Sequence, residues 1–274
     1  MEEHSSPLKV LITGAYGLIG NLVYAHLAAQ PATYDAYGMV RRAQPSARTT
    51  AAHSYQIPAE KLRLADLTNF SAVRRAVEGM DVVVHMAADP DGRAGWESVL
   101  NNNIVGSYHL FEASRLAGVK RVIYASTNQV VFGYRADEPY GSLFAGRYDY
   151  AALDLYRPID HTQPTRPLNH YACSKVFGEA LAHTYAYTHG LSCICLRIGW
   201  VTDDDRLPRP NARILWCSQR DIVQLVERCI GAPSNLRFDV FFGQSDNRYN
   251  LVDIEHAKNV LGYAPQDRAE ERLA

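Results

Sequence analysis

Residues 8–29, "LKVLITGAYGLIGNLVYAHLAA", decide the fold of this chain. The apolar run 8–13 predicts a buried strand, and a helical pattern begins directly after it, across Gly14, Gly17 and Gly20. Glycines at such positions permit a tight turn, let the backbone approach a pyrophosphate, and allow the helix to pack closely on the sheet. The helix N-terminus would add N–H donors and a favourable dipole. Between a strand and a helix, this pattern predicts a dinucleotide-binding loop rather than a helix merely capped by glycines.

Short apolar runs and longer helical patterns continue to alternate along the chain. The further predicted strands are 34–40, 61–67, 81–88, 119–127 and 191–199. The predicted helices are 17–29, 71–79, 97–118 and 169–189. β-Branched runs that alternate with helices are typical of a parallel sheet covered on both faces. We therefore expect an α/β fold with a Rossmann-type doubly wound parallel sheet.

The alternation fades after residue 200. We expect residues 1–199 to form the NAD(P)-binding domain, and residues 200–274 to form a small C-terminal substrate lobe of the same folding unit. The patterns in this tail predict a helix near 219–231, a strand near 236–242 and a C-terminal helix. Two polar connections also interrupt the rhythm, at 41–60 and 133–168. A connection as long as the second is more often functional than idle.

Composition and charge exclude several classes of protein. The 274 residues carry a formal net charge of −1, which gives no bulk electrostatic case for nucleic acid or anionic membranes. No apolar run reaches the ~18–20 residues of a membrane span, and the polar, acidic start "MEEHSSP" is unlike a signal peptide. The five scattered cysteines favour neither a disulfide framework nor a zinc site, and neither the ten histidines nor the "DDD" run at 203–205 shows a metal-ligand spacing. We expect a soluble cytoplasmic protein without a metal.

The end of the second predicted strand bears on the choice of cofactor. In dinucleotide-binding folds, an acidic residue there binds the ribose 2′-hydroxyl of NAD, whereas an arginine accommodates the 2′-phosphate of NADP. This strand ends "GMVRRAQ", with Val40 at the acidic position and Arg41 and Arg42 after it. The sequence therefore favours NADP. If both arginines are only solvated loop residues, NAD would bind through other contacts.

A hydroxyl-bearing strand end and a Tyr-x-x-x-Lys helix suggest acid/base chemistry. The strand 119–127 ends with Ser126 and Thr127, and "NHYACSKVFG" follows 45 residues later with Tyr171 and Lys175. The four-residue spacing puts the tyrosine and the lysine on one helical face. A free tyrosine titrates near ~10, and a neighbouring ammonium favours its phenolate. Tyr171 is therefore the candidate base, with either Thr127 or Ser126 as its hydroxyl partner.

Taken together, these motifs resemble the extended branch of the short-chain dehydrogenase/reductase family, from Gly14 to about Asp267. The match adds "ADL" with Asp66, "HMAA" at 85–88, and "NNIVGS" with Asn103. Within the branch, "YASTNQVVFGY", "RIGWVT", "ILWCSQRD" and "FGQSDN…LGYAPQD" look most like uronate dehydrogenases and the related aldose dehydrogenases, which include glucose-6-phosphate dehydrogenases.

The resemblance implies roles for individual residues. Tyr171 would deprotonate a substrate hydroxyl, Thr127 would hydrogen-bond the reacting oxygen, and Lys175 would also hold the nicotinamide ribose. Cofactor contacts would come from Gly14, Tyr16, Gly17, Leu18, Ile19, Arg41, Arg42, Asp66, Leu67, Met86, Ala87, Ala88, Asn103, Tyr171 and Lys175. Substrate contacts would come from Ser126, Asn128, Gln129 and Arg213, with Arg135, Arg147, Arg157 and Arg166 as further candidates for an anionic group. Uronate dehydrogenases tend to have histidine where this chain has Gln129, so the sugar stays open.

The implied reaction is NAD(P)-dependent oxidation of an aldose, sugar phosphate or uronic acid at C1, which gives the lactone. A nucleotide-sugar epimerase or dehydratase using the same triad is the alternative. The short C-terminal tail, and Asn128–Gln129 in place of an acidic pair, make that alternative weaker. A non-catalytic dinucleotide sensor would need the glycine loop but not the triad. By resemblance we also expect a homodimer formed through helices 97–117 and 169–189.

Overall fold

Seven parallel strands form one sheet in the part of the chain that the computed structural model describes, residues 6–44, 54–148 and 156–272. The strands are β1 Leu8–Thr13, β2 Tyr34–Val40, β3 Leu62–Leu64, β4 Val82–His85, β5 Arg121–Thr127, β6 Ser192–Ile198 and β7 Phe238–Gly243. Their order is β3-β2-β1-β4-β5-β6-β7, so the direction of winding reverses between β1 and β4. This is the predicted doubly wound Rossmann-type sheet.

Helices cover both faces of the sheet. They are α1 Leu18–Ala28, α2 Phe70–Val77, α3 Trp96–Ser98, α4 Gly106–Leu116, α5 Tyr140–Phe144, α6 His170–His189, α7 Gln219–Ile230 and α8 Glu255–Leu261. Short 3₁₀ segments lie at Ala59–Lys61, Asn128–Ala136, Pro210–Ile214 and Ala269–Arg272. Among these helices, none is long and apolar enough to cross a membrane. Parts of the two predicted polar connections, 45–53 and 149–155, lie outside the described residues, as do 1–5 and 273–274.

Two elements predicted from the sequence differ from those in the structure, one in its length and the other in its helix type. The predicted strand 81–88 ends at His85, because the chain leaves the sheet there and the next residues turn over the end of β1, where the Ala87 N–H donates to Thr13 Oγ1. The predicted helix 97–118 contains a π-helical segment, Val99–Val105. Such single-turn π segments frequently mark functional sites. The buried side chain of Asn103 lies in this segment.

The C-terminal residues contribute to the main sheet. β7 pairs in parallel with β6, from Cys193 opposite Phe238 to Ile198 opposite Gly243, and α7 packs on the same face as α1. The segment 200–215 lies beyond the carboxyl ends of the strands, where Trp200 bridges to Trp216. The division into residues 1–199 and 200–274 stays a prediction.

The hydrophobic core has two layers and an extension. Side chains from alternate positions of each strand point to opposite faces, so Val10 and Ile12 pack under α1 and α7 while Leu11 packs under α2 and α4. A third cluster lies beyond the strand ends and joins the irregular segments to each other. Its buried members include Val130, Val131, Leu143, Ile159, Ile214, Leu251 and Val252. The third cluster packs the irregular segments against one another. Three of its residues, Phe132, Phe144 and Leu215, also line a cleft at the carboxyl ends of the strands.

Candidate active site

A cleft of about 1140 Å³ runs across the carboxyl ends of the strands. It begins at the glycine loop after β1, passes the end of β5 and the first turn of α6, and ends among residues 198–215. Ligands of doubly wound sheets bind in this position, next to the point where the winding reverses. The cleft therefore has a cofactor end near β1 and a substrate end near Trp200.

Backbone atoms form the floor of the cofactor end. Gly14 has φ of 66°, donates its N–H to the Met39 carbonyl at 2.9 Å, and accepts from the Gly17 N–H at 2.7 Å. A Cβ on Gly20 would lie 2.3 Å from the Gly14 oxygen, and a Cβ on Gly14 would lie 2.9 Å from the Ala87 backbone. Helix α1 begins at Leu18 with no acidic residue in its first turn. The N–H groups of the first turn of α1 and the positive end of this helix thus face the position of a pyrophosphate.

Charged side chains line the far wall of the cofactor end. Arg41 and Arg42 follow Val40 at the end of β2, and Asp66 lies across from them. Asp66 Oδ1 accepts from the Thr68 backbone N–H at 2.9 Å and from its hydroxyl at 2.8 Å. These hydrogen bonds, together with the nearby Arg41 guanidinium, hold the pKa of Asp66 below its usual value. Asp66 is therefore ionised, and its second carboxylate oxygen, Oδ2, can accept a hydrogen bond from the nucleobase of a bound dinucleotide.

The Tyr–Lys pair lies at the start of α6, in the middle of the cleft. Asn169 caps the helix by accepting from the Ala172 N–H at 2.8 Å, which sets where Tyr171 emerges. Lys175 is 2% exposed and donates to the Ala125 carbonyl at 2.7 Å. Its Nζ lies 5.8 Å from the centre of the Tyr171 ring. Burial lowers the pKa of Lys175 to about 7, and a bound anionic cofactor would oppose that shift by stabilising the ammonium.

The two hydroxyls at the end of β5 have different environments. Ser126 Oγ donates to Glu179 Oε1 at 2.6 Å, and Arg197 holds the same buried carboxylate through two bonds of 3.0 and 2.8 Å. Thr127 Oγ1 accepts from the Gln129 N–H at 3.3 Å, which leaves its own hydrogen to be donated. Both side chains line the cleft. The geometry favours Thr127 over Ser126 as the partner of a reacting oxygen.

Irregular segments build the substrate end of the cleft. Asn128, 4% exposed, lines it, and its Nδ2 has no hydrogen-bond partner among the described residues. Gln129 also lines it and accepts from Asn169 Nδ2 at 3.0 Å. The rest of the wall comes from three segments: Phe132, Arg135, Phe144, Trp200, Val201, Arg209, Asn211, Ala212 and Leu215. A buried amide without a partner is costly, so the Asn128 Nδ2 is a polar group in the cleft wall whose hydrogen-bonding capacity the described residues leave unused.

Two predicted contact residues lie elsewhere. Arg213 is not among the residues that line the cleft; its guanidinium lies 4.1 Å from the centre of the Tyr148 ring and 6.0 Å from that of Tyr249. Its position follows from the 133–168 segment, which supplies Tyr148. Asn103 is buried in the π-helical segment, where it accepts from the Asp89 N–H at 2.7 Å and donates to the Asp89 carbonyl. Asn103 therefore shapes the wall at Asp89 instead of lining the cleft itself.

The structure brings two arginines to the substrate end in place of Arg213. Arg135 was a reserve candidate, and Arg209 was not singled out by the sequence. Arg209 lies with its guanidinium 5.2 Å from the centre of the Trp200 ring. The only signal in its favour was the charge-rich "RLPRP" run at 206–210, which has no helical or strand period. The other predicted cofactor residues, from Gly14 to Ala88, all line the cleft.

The fold and site together define the class of Rossmann-type dinucleotide-binding proteins with a Tyr–Lys pair in the same cleft as the glycine loop. The sequence model of the NAD dependent epimerase/dehydratase family matches residues 10–202. The chain belongs to this family.

Individual relatives cover nearly the whole chain. It is 34% identical over 270 residues to the NAD-dependent glucose-6-phosphate dehydrogenase of Haloferax volcanii, across 96% of this chain and 94% of that protein. It is 33% identical over 265 residues to the uronate dehydrogenase of Pseudomonas putida, across 96% and 85%. Its structure is similar to that of a mutant uronate dehydrogenase from Agrobacterium tumefaciens complexed with NAD, with a TM-score of 0.75, 28% identity, and coverage of 96% and 86%.

Proposed function

We propose that this protein is an NAD(P)-dependent oxidoreductase that oxidises an aldose, a sugar phosphate or a uronic acid at C1 to the lactone. The observation that carries the proposal is the position of Thr127, Tyr171 and Lys175 between the glycine loop and a compartment lined by amides and arginines. The names of the relatives, a sugar-phosphate dehydrogenase and a uronate dehydrogenase, support the same class of substrate.

The residues of the cleft fit a nicotinamide dinucleotide. The glycine cradle leaves no room for a Cβ at Gly14 or Gly20, so backbone faces the phosphates. A bound nicotinamide dinucleotide would supply the hydride acceptor for C1. The Lys175 ammonium stabilises the Tyr171 phenolate, which takes the proton of the C1 hydroxyl. Thr127 donates to the C1 oxygen, and Lys175 would also hold the nicotinamide ribose.

We further propose that NADP is the preferred cofactor and that NAD is also used. Arg41 and Arg42 line the cleft after Val40, and guanidiniums bind a phosphate through charge-assisted bonds. Replacing either by alanine should lower kcat/KM for NADP by about tenfold and change that for NAD little. Arg74→Ala, on the exposed side of α2, is the matched control. A wild-type kcat/KM that is higher with NAD than with NADP would contradict the preference.

The quaternary structure and the compartment belong to the same proposal. Large apolar side chains are exposed on and near the helices that flank the site: Trp96, Tyr108, Leu116, Leu168, Phe177 and Tyr187. A second copy of the chain would cover them, so we propose a homodimer formed through α4 and α6. All five cysteines are free thiols in the structure, in keeping with a cytoplasmic enzyme of carbohydrate metabolism.

The decisive experiment is a panel of free aldoses, uronic acids and sugar phosphates, assayed with NAD and NADP by the formation of reduced nicotinamide. We expect net reduction with at least one of these sugars, and its loss in Tyr171→Phe. Tyr55→Phe, an exposed tyrosine outside both the cleft and the proposed interface, is the control. Conversion of a nucleotide sugar without net reduction would indicate the epimerase or dehydratase reaction instead. Unchanged turnover in Tyr171→Phe would refute the catalytic assignment.

A further inference from the structure

Three potential metal ligands come together away from the cleft. They are His161, from the segment that precedes α6, Asp239, in β7, and His256, in the first turn of α8. One ligand atom from each lies within 4.8 Å of the others. None of the three residues lines the cleft. Their spacing along the chain, 78 and 17 residues, forms no recognisable motif, and the sequence led us to expect no metal.

Hydrogen bonds and ring stacking hold the His256 side chain of this cluster in place. His256 Nε2 lies 3.0 Å from both carboxylate oxygens of Asp239. The His256 ring is held between Phe241, at 4.9 Å and 18°, and His161, at 3.8 Å and 10°. His161 Nδ1 is buried, and no residue of the described chain hydrogen-bonds to it. A buried ring nitrogen without a partner is uncommon, and a metal ion is one of the groups that satisfy it.

We propose that His161, Asp239 and His256 bind a divalent transition-metal ion, with Zn²⁺ as the best match. Two imidazole nitrogens and one carboxylate oxygen are ligands that zinc accepts, whereas Mg²⁺ and Ca²⁺ prefer sites made of oxygen alone. With three protein ligands, a water molecule would complete the tetrahedral shell. This proposal is independent of the reaction proposed above.

The distances suit a single ion. Two ligand atoms that lie 3.0 Å apart, as in Asp239 and His256, subtend an angle of roughly 95° at an ion ~2.0–2.1 Å from each. Ligands of a regular tetrahedral zinc are ~3.3 Å apart, so His161 has to approach by no more than ~1.5 Å. A tilt of the His161 ring out of its stack on His256 provides this movement. The bound form is thus a small adjustment of the side chains already present.

The ion would connect the wall of the cleft to the sheet. The segment around His161 is tied to the C-terminal part of the chain by the Ile159 N–H, which donates to the Leu251 carbonyl at 2.9 Å. The same segment holds the substrate end, since the Gly133 N–H donates to the Arg166 carbonyl and the Tyr134 hydroxyl donates to that of Pro164. A metal between His161 and β7 would therefore stabilise the substrate wall without touching substrate.

Zinc titration of tag-free, chelator-treated protein tests the proposal. We expect about one Zn²⁺ per chain by calorimetry, a dissociation constant of about 1 μM or lower, and a higher melting temperature with Zn²⁺. His161→Ala and Asp239→Asn should each weaken binding by at least about tenfold. His183→Ala, an exposed histidine on α6 that contacts β7, should bind zinc like wild type.

A second measurement keeps the test valid if one variant folds poorly. Co²⁺ bound by the three ligands should give the visible absorption of a tetrahedral site in wild type and in His183→Ala, and not in His161→Ala. Circular dichroism of the metal-free variants identifies any that are unfolded. Metal binding is then judged from the ligand variants that remain folded. Absence of zinc binding at micromolar concentration overturns the proposal. So does binding that survives in folded His161→Ala and Asp239→Asn, because it would come from other surface groups.

Discussion

The two ends of the cleft are built in different ways. At the cofactor end, β1, β2 and α1 present backbone groups whose positions follow from strand pairing and from glycines that admit no side chain. At the substrate end, 3₁₀ segments and loops present side chains, and the arginine expected there, Arg213, packs on Tyr148 instead. Backbone recognition depends on the fold and is shared by a family, whereas side-chain recognition changes with each loop.

Removal of the lysine between the two ends should have the largest effect. We expect Lys175→Met to lower kcat by about 10²–10⁴-fold, because the phenolate of Tyr171 loses its neighbouring charge. The free energy of unfolding of the cofactor-free protein at pH 7 should stay the same or rise, since a buried ammonium is costly. Kinetics and chemical denaturation check both effects. A large loss of stability in this variant would mean that Lys175 serves the fold as much as the reaction.

Arginine variants compare the candidates at the substrate end. With an anionic sugar as substrate, Arg135→Ala or Arg209→Ala should raise KM by about 10–100-fold, the value of a lost charge-assisted hydrogen bond. Arg213→Ala should change KM less, because its guanidinium packs on Tyr148. Neutral aldoses are the control, since their KM should change little in all three variants. A larger effect from Arg213→Ala than from the other two variants would show that Arg213, and not Arg135 or Arg209, binds the anionic group of the substrate.

The substitution Gly20→Ala adds one methyl group to the glycine loop and tests whether the backbone there binds the cofactor. The Cβ of Gly20→Ala would lie 2.3 Å from the Gly14 oxygen, so the loop has to move. We expect a loss of about 1–3 kcal/mol in the free energy of unfolding, and weaker cofactor binding, because the N–H groups lose their alignment. Gly95→Ala is the control, since a Cβ there meets nothing within 4 Å. Unaltered cofactor affinity, measured by fluorescence titration, would argue against backbone recognition at this end.

The last prediction concerns the pH dependence of stability and His85, a buried histidine beneath the cofactor end. His85 is buried, its Nδ1 bonds Thr13 Oγ1 at 2.8 Å, and burial lowers its pKa to about 3. The unfolded chain takes up a proton near pH ~6.5 and the folded chain does not, so stability should fall as the pH falls from ~6.5 towards ~3. The slope from this group is at most about 1.4 kcal/mol per pH unit. His85→Gln should have a flatter profile in denaturation at pH 4–6; identical slopes would contradict the assignment.

Whether the sequence can predict the position of a residue depends on whether local periodicity or contacts distant in sequence fix that position. Gly14, Thr127 and Lys175 lie at the ends or on the faces of periodic elements, so the pattern alone put them in the cleft. The choice between Thr127 and Ser126 needed the buried Glu179, 53 residues away from Ser126, which occupies the serine hydroxyl. Asn103 lies in a π-helical segment and hydrogen-bonds Asp89, and no helical pattern in the sequence signals such a segment, so its cofactor contact stays a prediction.

The sequence by itself determined the doubly wound sheet, the phosphate loop and the Tyr–Lys pair, because these depend on local periodicity, glycine conformation and spacing within one helix. Only the tertiary structure decided which arginines line the substrate end and that His161, Asp239 and His256 meet. Those arrangements join residues from distant segments through loops without a period. Their positions depend on how the third hydrophobic cluster packs the loops together, and no local pattern encodes that packing.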